Sequence, residues 1–384
     1  VAQSEDCAPV GEPFQAVPWS QRMVAAERVW PFTQGRGVTV AVLASGVDAG
    51  HPRLAGRVRE GFDAVAGAGP ADTDCIGLGT QVAGVIAARR SPEGGFAGVA
   101  PQARILPVRV VDGRPSSNLV AEPEVLASGI RWAAARADVI VVAVPAYRDH
   151  DDLEASVSEA VDAGVLVVAA AGDLAGETDG NPAPYPAVYP DVLGVGAVGP
   201  DALRWPDSQY GPYVDLVAPG AAVVTLQRGD GMVTVDGTGV AAGFVAGAAA
   251  LVRGADRDAS PREIAHRLTA TATPAPGGSW SPQYGRGVVN PYAAVHDRLV
   301  TASPSALPAA TRPVADEHPE WERSRDVAVA GSLGALVLVV AVLTAAAALP
   351  RGRRRLWRPA IAPAPPADRQ PEEPGPPVQL FDES

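Results

Sequence analysis

Five short stretches of the chain are almost wholly apolar and rich in β-branched residues: Val38–Leu43, Ile105–Val111, Val139–Val144, Val165–Ala170 and Val192–Val198. Runs of this length without polar alternation predict strands buried on both faces, the pattern of a parallel sheet. Helical stretches are predicted between them, at Val82–Arg89, Pro123–Arg136 and Leu153–Ala163. The alternation predicts an α/β fold, a three-layer sandwich with a mainly parallel sheet covered by helices on both sides. A small-residue helix, Thr238–Val252, is expected to thread the core, and a helix at Pro261–Thr269 with a turn at Gly285–Asn290 closes the domain. At about 300 residues this region is long enough for one large core.

The C-terminal quarter has a different pattern. Val327–Leu349 carries no charge and is long enough to cross a bilayer as a helix. Arg351, Arg353, Arg354, Arg355 and Arg358 follow at once. By the positive-inside rule that end is cytoplasmic and the large domain lies outside the cell membrane. The expected organisation is an N-terminal extension (1–18), the α/β domain (19–300), a Pro/Ala-rich stalk (301–326), one transmembrane helix (327–349) and a tail (350–384) that is basic, then Pro-rich and acidic. The sequence opens at Val1 rather than Met, and an external domain is expected to have lost a signal peptide.

Composition narrows the partners. The formal charge is −12, lysine is absent, and no basic patch is expected outside the membrane-flanking arginines, which argues against nucleic acid. No His/Cys cluster has ligand spacing, so neither a metal nor a cofactor is expected. Cys7 and Cys75 are the two cysteines. In an exported protein an even count favours a disulfide, with two unpaired thiols as the alternative.

Candidate chemistry lies in the loops after the strands, where open α/β sheets put their sites. The first strand ends in Ala44-Ser45-Gly46, followed by Val47, Asp48, His51 and Pro52. Asp74–Ala87 reads DCIGLGTQVAGVIA, and Gly237–Gly247 reads GTGVAAGFVAG. These segments resemble, in order, the three catalytic motifs of the subtilisin-like proteases: Asp-Thr/Ser-Gly, D-x-x-G-H-G-T-x-V-A-G and GTSxAxP. The resemblance puts Ala44 at the acid, Leu78 at the histidine and Gly239 at the serine, so no member of a triad is intact. It also puts Asp173 at the asparagine that binds the oxyanion, where a carboxylate would repel developing negative charge. The motif's proline is replaced by Gly243, and a relaxed helix entry is expected there.

A substitute mechanism would need a hydroxyl, a base within reach and a group to orient that base. Ser45 and Thr238 are the nearby hydroxyls. His51-Pro52 also belongs to the framework of active relatives, so a structural role is expected for His51. His150, His266, His296 and His318 fall in stretches that read as loop, helix surface or stalk.

The N-terminal extension with its Cys, the second Cys in D-C-x-G-x-G-T, the Pro-rich stalk, the C-terminal membrane helix and the segment WSQRMVAAERVWPFTQGRGVTVAVL together resemble the mycosins. These are membrane-anchored subtilases associated with type VII secretion in actinobacteria. The resemblance implies a partnership with the membrane components of that machinery, and a Cys7–Cys75 bridge would pin the extension across the domain. Two readings follow. One is a pseudoprotease acting as scaffold or as a module that binds an extended peptide in the old substrate groove. The other is a serine endopeptidase of the subtilase family with a non-standard or misread catalytic site, acting on secreted substrates.

Overall fold

The computed structural model describes residues 7–90, 95–115, 119–176, 180–297 and 319–356. Two compact units divide the chain, 1–300 and 301–384. In the first, the elements run α1 (Trp19–Val24), β1 (Thr39–Ala44), β2 (Phe62–Asp63), α2 (Leu78–Ala87), β3 (Arg104–Arg109), α3 (Pro123–Ala134), β4 (Val139–Val142) and α4 (Asp151–Asp162). They continue with β5 (Leu166–Ala170), β6 (Val192–Val198), β7 (Leu216–Pro219), β8 (Val223–Leu226), β9 (Met232–Val235), α5 (Thr238–Ala255), α6 (Pro261–Ala270) and α7 (Pro291–His296).

Seven strands form one sheet in the order β2-β3-β1-β4-β5-β6-β7, and every pairing in it is parallel. β1 illustrates why the predicted strands lack polar alternation. Val40, Val42 and Ala44 pack with α2 and α5 on one face, and Ala41 and Leu43 pack with α3 and α4 on the other. Both faces are covered, so each residue of the strand is buried. The result is the expected three-layer sandwich.

α5 runs through the middle, buried from Thr238 to Arg253. Its glycines let neighbours approach closely: a Cβ on Gly243 would lie 2.6 Å from Val85 Cγ2 of α2, and one on Gly247 would lie 2.7 Å from Val99 Cβ. The helix entry at Gly243 is therefore tightly packed rather than relaxed, which corrects the sequence expectation.

The extension is tied to the domain by a Cys7–Cys75 disulfide with a Cα–Cα separation of 4.7 Å. Beyond it, Glu12 and Met232 exchange backbone hydrogen bonds of 2.8 Å, adding a short strand-like segment beside the antiparallel β8–β9 pair. Gly11 and Gly231 cross so closely that a Cβ on Gly11 would fall 2.3 Å from the Gly231 carbonyl carbon.

Element ends differ from the sequence reading in two informative places. α2 starts at Leu78 rather than Val82, because Asp74 caps its first turn from outside the apolar run. β3 ends at Arg109, whose guanidinium is drawn off to Asp63 and Thr73. In the second unit, α8 (Pro319–Leu356) extends beyond the apolar run at both ends, so residues 319–326 of the expected stalk are helical. Its segment Ser324–Ala346 has a mean hydropathy of 2.5 and none of it is buried, which makes it a candidate membrane span. α5 is less apolar, with a mean hydropathy of 1.4, and is a buried core helix. The rest of the expected stalk (301–318, with His318) and the tail beyond 356 lie outside the described residues.

Candidate active-site groove

The four positions singled out in the sequence converge at the carboxyl end of the sheet. Ala44 is the last residue of β1, Asp173 follows β5, Leu78 opens α2, and Gly239 lies in the first turn of α5. Leu78, Asp173, Gly237 and Gly239 line a groove of about 800 Å³ together with Ile76, Ala143, Trp205, Asp207 and Asp236. Ala8 and Pro9 of the extension also line it. Ala44 does not, since its methyl is fully buried beneath α2, 3.3 Å from where a Cβ on Gly79 would sit.

Position 239 is closed to any side chain in this backbone. A Cβ there would meet the Ala143 carbonyl oxygen at 2.5 Å, far inside van der Waals contact. Leu78 takes part in the apolar packing on both sides of the sheet.

The polar groups nearby are engaged in structure. Asp74 accepts from the Gly77 N–H (2.7 Å), the Thr80 N–H and hydroxyl (2.8 and 2.7 Å) and the Ser45 hydroxyl (2.8 Å). Burial pushes its carboxyl above the usual range, and these four donors oppose that shift. Ser45 Oγ also accepts the Gly79 N–H at 3.1 Å, so this hydroxyl joins the end of β1 to the start of α2. Thr238 is fully buried; its hydroxyl donates to Asp173 at 2.7 Å and accepts the Gly172 N–H at 3.0 Å. Neither hydroxyl lines the groove.

Asp173 accepts both the Thr238 N–H (2.8 Å) and the Thr238 hydroxyl, and so caps the N-terminus of α5. Burial raises its carboxyl above the ordinary range; the Thr238 bonds lower it, while Asp207 and Asp236 raise it further. The groove therefore carries three carboxylates. Asp207 and Asp236 come from loops without a recognisable motif and escape a sequence reading, whereas Asp74 could have been found from its D-x-x-G-x-G-T spacing.

Among the described residues no histidine compensates. His51 is fully buried, its Nδ1 accepts the Arg53 N–H and its Nε2 donates to the Gly231 carbonyl, both at 3.1 Å. Burial holds its pKa below the ordinary value, so it stays neutral with both nitrogens used. His150 caps α4, His266 lies on α6, and His296 stacks on Tyr292 at the end of α7. Among the described residues the groove contains no histidine, serine or cysteine.

The model of the subtilase family matches residues 35–287. Mycosin-1 of Mycobacterium tuberculosis is 36% identical over 74% of this chain and 74% of its own length. The chain belongs to the subtilase family, among the mycosins. Mycosin-4 of the same organism is 34% identical across 90% of the chain and 86% of its own length. Thermitase of Thermoactinomyces vulgaris is 34% identical over 73% of the chain and 97% of its own length. Among solved structures, MycP1 from the ESX-1 type VII secretion system superposes with a TM-score of 0.67 at 31% identity, covering 80% of this chain and 94% of that one. MycP3 from the ESX-3 system gives 0.64 at 32% identity over 77% and 94%. The architecture is thus the subtilisin-like α/β fold, and the groove occupies the end of the sheet where the family motifs Ala44-Ser45-Gly46, DCIGLGT and GTG meet.

Proposed function

We propose that this mycosin is a pseudoprotease that keeps the subtilase groove as a structural or peptide-binding surface and serves in the membrane complex of a type VII secretion system. One observation carries the reading: Leu78 and Gly239 face the groove where a base and a nucleophile would be needed, and position 239 has no room for a side chain. The groove itself is open, partly apolar and large enough for several residues of extended chain. Its secretion partners are inferred from relatives whose names place them in ESX-1 and ESX-3 systems. An external domain anchored by Val327–Leu349, with the arginines that follow on the cytoplasmic side, fits that role.

A peptide library incubated with the full chain and read by mass spectrometry tests this. Peptides recovered bound and uncut support the proposal, and turnover at family rates sinks it.

A further inference from the structure

Arginines scattered through the sequence gather on one side of the globular unit, at the amino ends of β1 and β3 and so at the opposite end of the sheet from the groove. Arg28, Arg36, Arg59, Arg89, Arg90, Arg104 and Arg257 are exposed, and Arg53 and Arg57 are half-buried. Contacts link parts of the face. Arg53 Nε donates to the Arg89 carbonyl and the Arg89 N–H donates to the Arg53 carbonyl, Arg257 donates to the Arg36 carbonyl, and Arg90 lies over Trp30. Arg89 and Arg36 are close enough to Arg57 to help burial hold its pKa below the ordinary value.

None of these nine arginines forms an ion pair among the described residues. The acids in the same segments are Glu27, Glu60, Asp256, Asp258 and Asp297, with Asp138 beside the start of β1; of these, Asp256 is already paired with Arg267 and Asp138 accepts the Thr39 N–H. In a chain of charge −12, a face of exposed arginines without ion-pair partners creates a local positive field that attracts anionic surfaces. The expectation of no basic cluster outside the membrane flank fails here, because the cluster is built from residues far apart in sequence.

The chain leaves the globular unit beside this face. Arg28 lies 4.2 Å over the Tyr292 ring, and Phe32, 67% exposed, packs edge-on against His296 at 4.3 Å. Only residues 298–318 separate that point from the helix containing the candidate span. We infer that this arginine face, with Phe32 at its margin, docks on the anionic headgroups of the bilayer that anchors the chain, and that the groove is held facing away from that bilayer. The inference rests on Val327–Leu349 spanning a membrane. Arginines near an anionic surface each contribute about fivefold in affinity, and an aromatic ring suits the headgroup level.

Hydrogen exchange on the full chain in lipid nanodiscs tests it. Co-purification with discs of either lipid reports on the span by itself. Amides of 28–37, 53–60 and 101–104 should exchange several-fold more slowly in discs with roughly a third anionic lipid than in zwitterionic discs. Amides of 223–236, beside the groove, should not change. The slowing should vanish in about 1 M salt, where the Debye length is about 3 Å, and in an Arg59→Glu/Arg89→Glu/Arg104→Glu variant. The salt arm uses unmutated protein and holds even if that variant fails to fold. Equal exchange in both discs would overturn the inference. So would slowing produced by duplex DNA or an acidic protein in detergent while anionic discs have no effect.

Discussion

A side chain at position 239 collides with the Ala143 carbonyl before its chemistry matters. Overpacking of this kind costs about 1–3 kcal/mol. Gly239→Ser and Gly239→Ala should therefore both lower stability by that amount in denaturant titrations, with no gain in hydrolysis from the serine. Restoring Ala44→Asp, Leu78→His and Gly239→Ser together should likewise give little activity, because Asp173 still puts a carboxylate in the groove and caps α5 with it. Any gain is expected only with Asp173→Asn, assayed on the same peptide. Gly243→Pro is no remedy, since even a Cβ there lies 2.6 Å from Val85 Cγ2 and α2 would have to shift. The four candidate positions were legible in the sequence because the residues around them resemble the family frame, and the fold brings them to one end of the sheet. The closure of position 239 was not, because it depends on the path of β4.

At the level of elements, the disulfide and the short Glu12–Met232 pairing hold the extension across the β8–β9 hairpin and along one wall of the groove. Cys7→Ser should lower stability by about 2–4 kcal/mol, the usual effect of opening a long disulfide loop, and should speed amide exchange at Glu12 and Met232. A second test concerns Asp215, which precedes β7 and accepts the Gly194 N–H at 2.9 Å. Burial raises its carboxyl to about 6, so the folded state binds this proton more tightly than the unfolded chain. Stability should then fall as pH rises from about 4 to about 6, by on the order of 3 kcal/mol, and stay lower above that window. Asp215→Asn should flatten that slope in urea titrations. The core strands were readable from their apolar runs, but β2, β8 and β9 were not: they are only two to four residues long, and partly buried or exposed positions interrupt their apolar character.

For the whole molecule, the fold divides charge along the sheet, with Asp173, Asp207 and Asp236 in the groove and unpaired arginines at the other end. Linear sequence gives the total of −12 but not this polarity, which appears only when the parallel strands bring distant loops together. The central claim is the proposal that this groove, whose described lining holds no serine, cysteine or histidine, carries no working nucleophile. Intact mass spectrometry of the full chain after fluorophosphonate treatment, beside an active subtilase, addresses it directly. An unchanged mass is the expected result; a stoichiometric adduct on Ser45, Thr238 or Thr234, the β9 residue that lines the groove, absent from a heat-denatured control, would contradict the account.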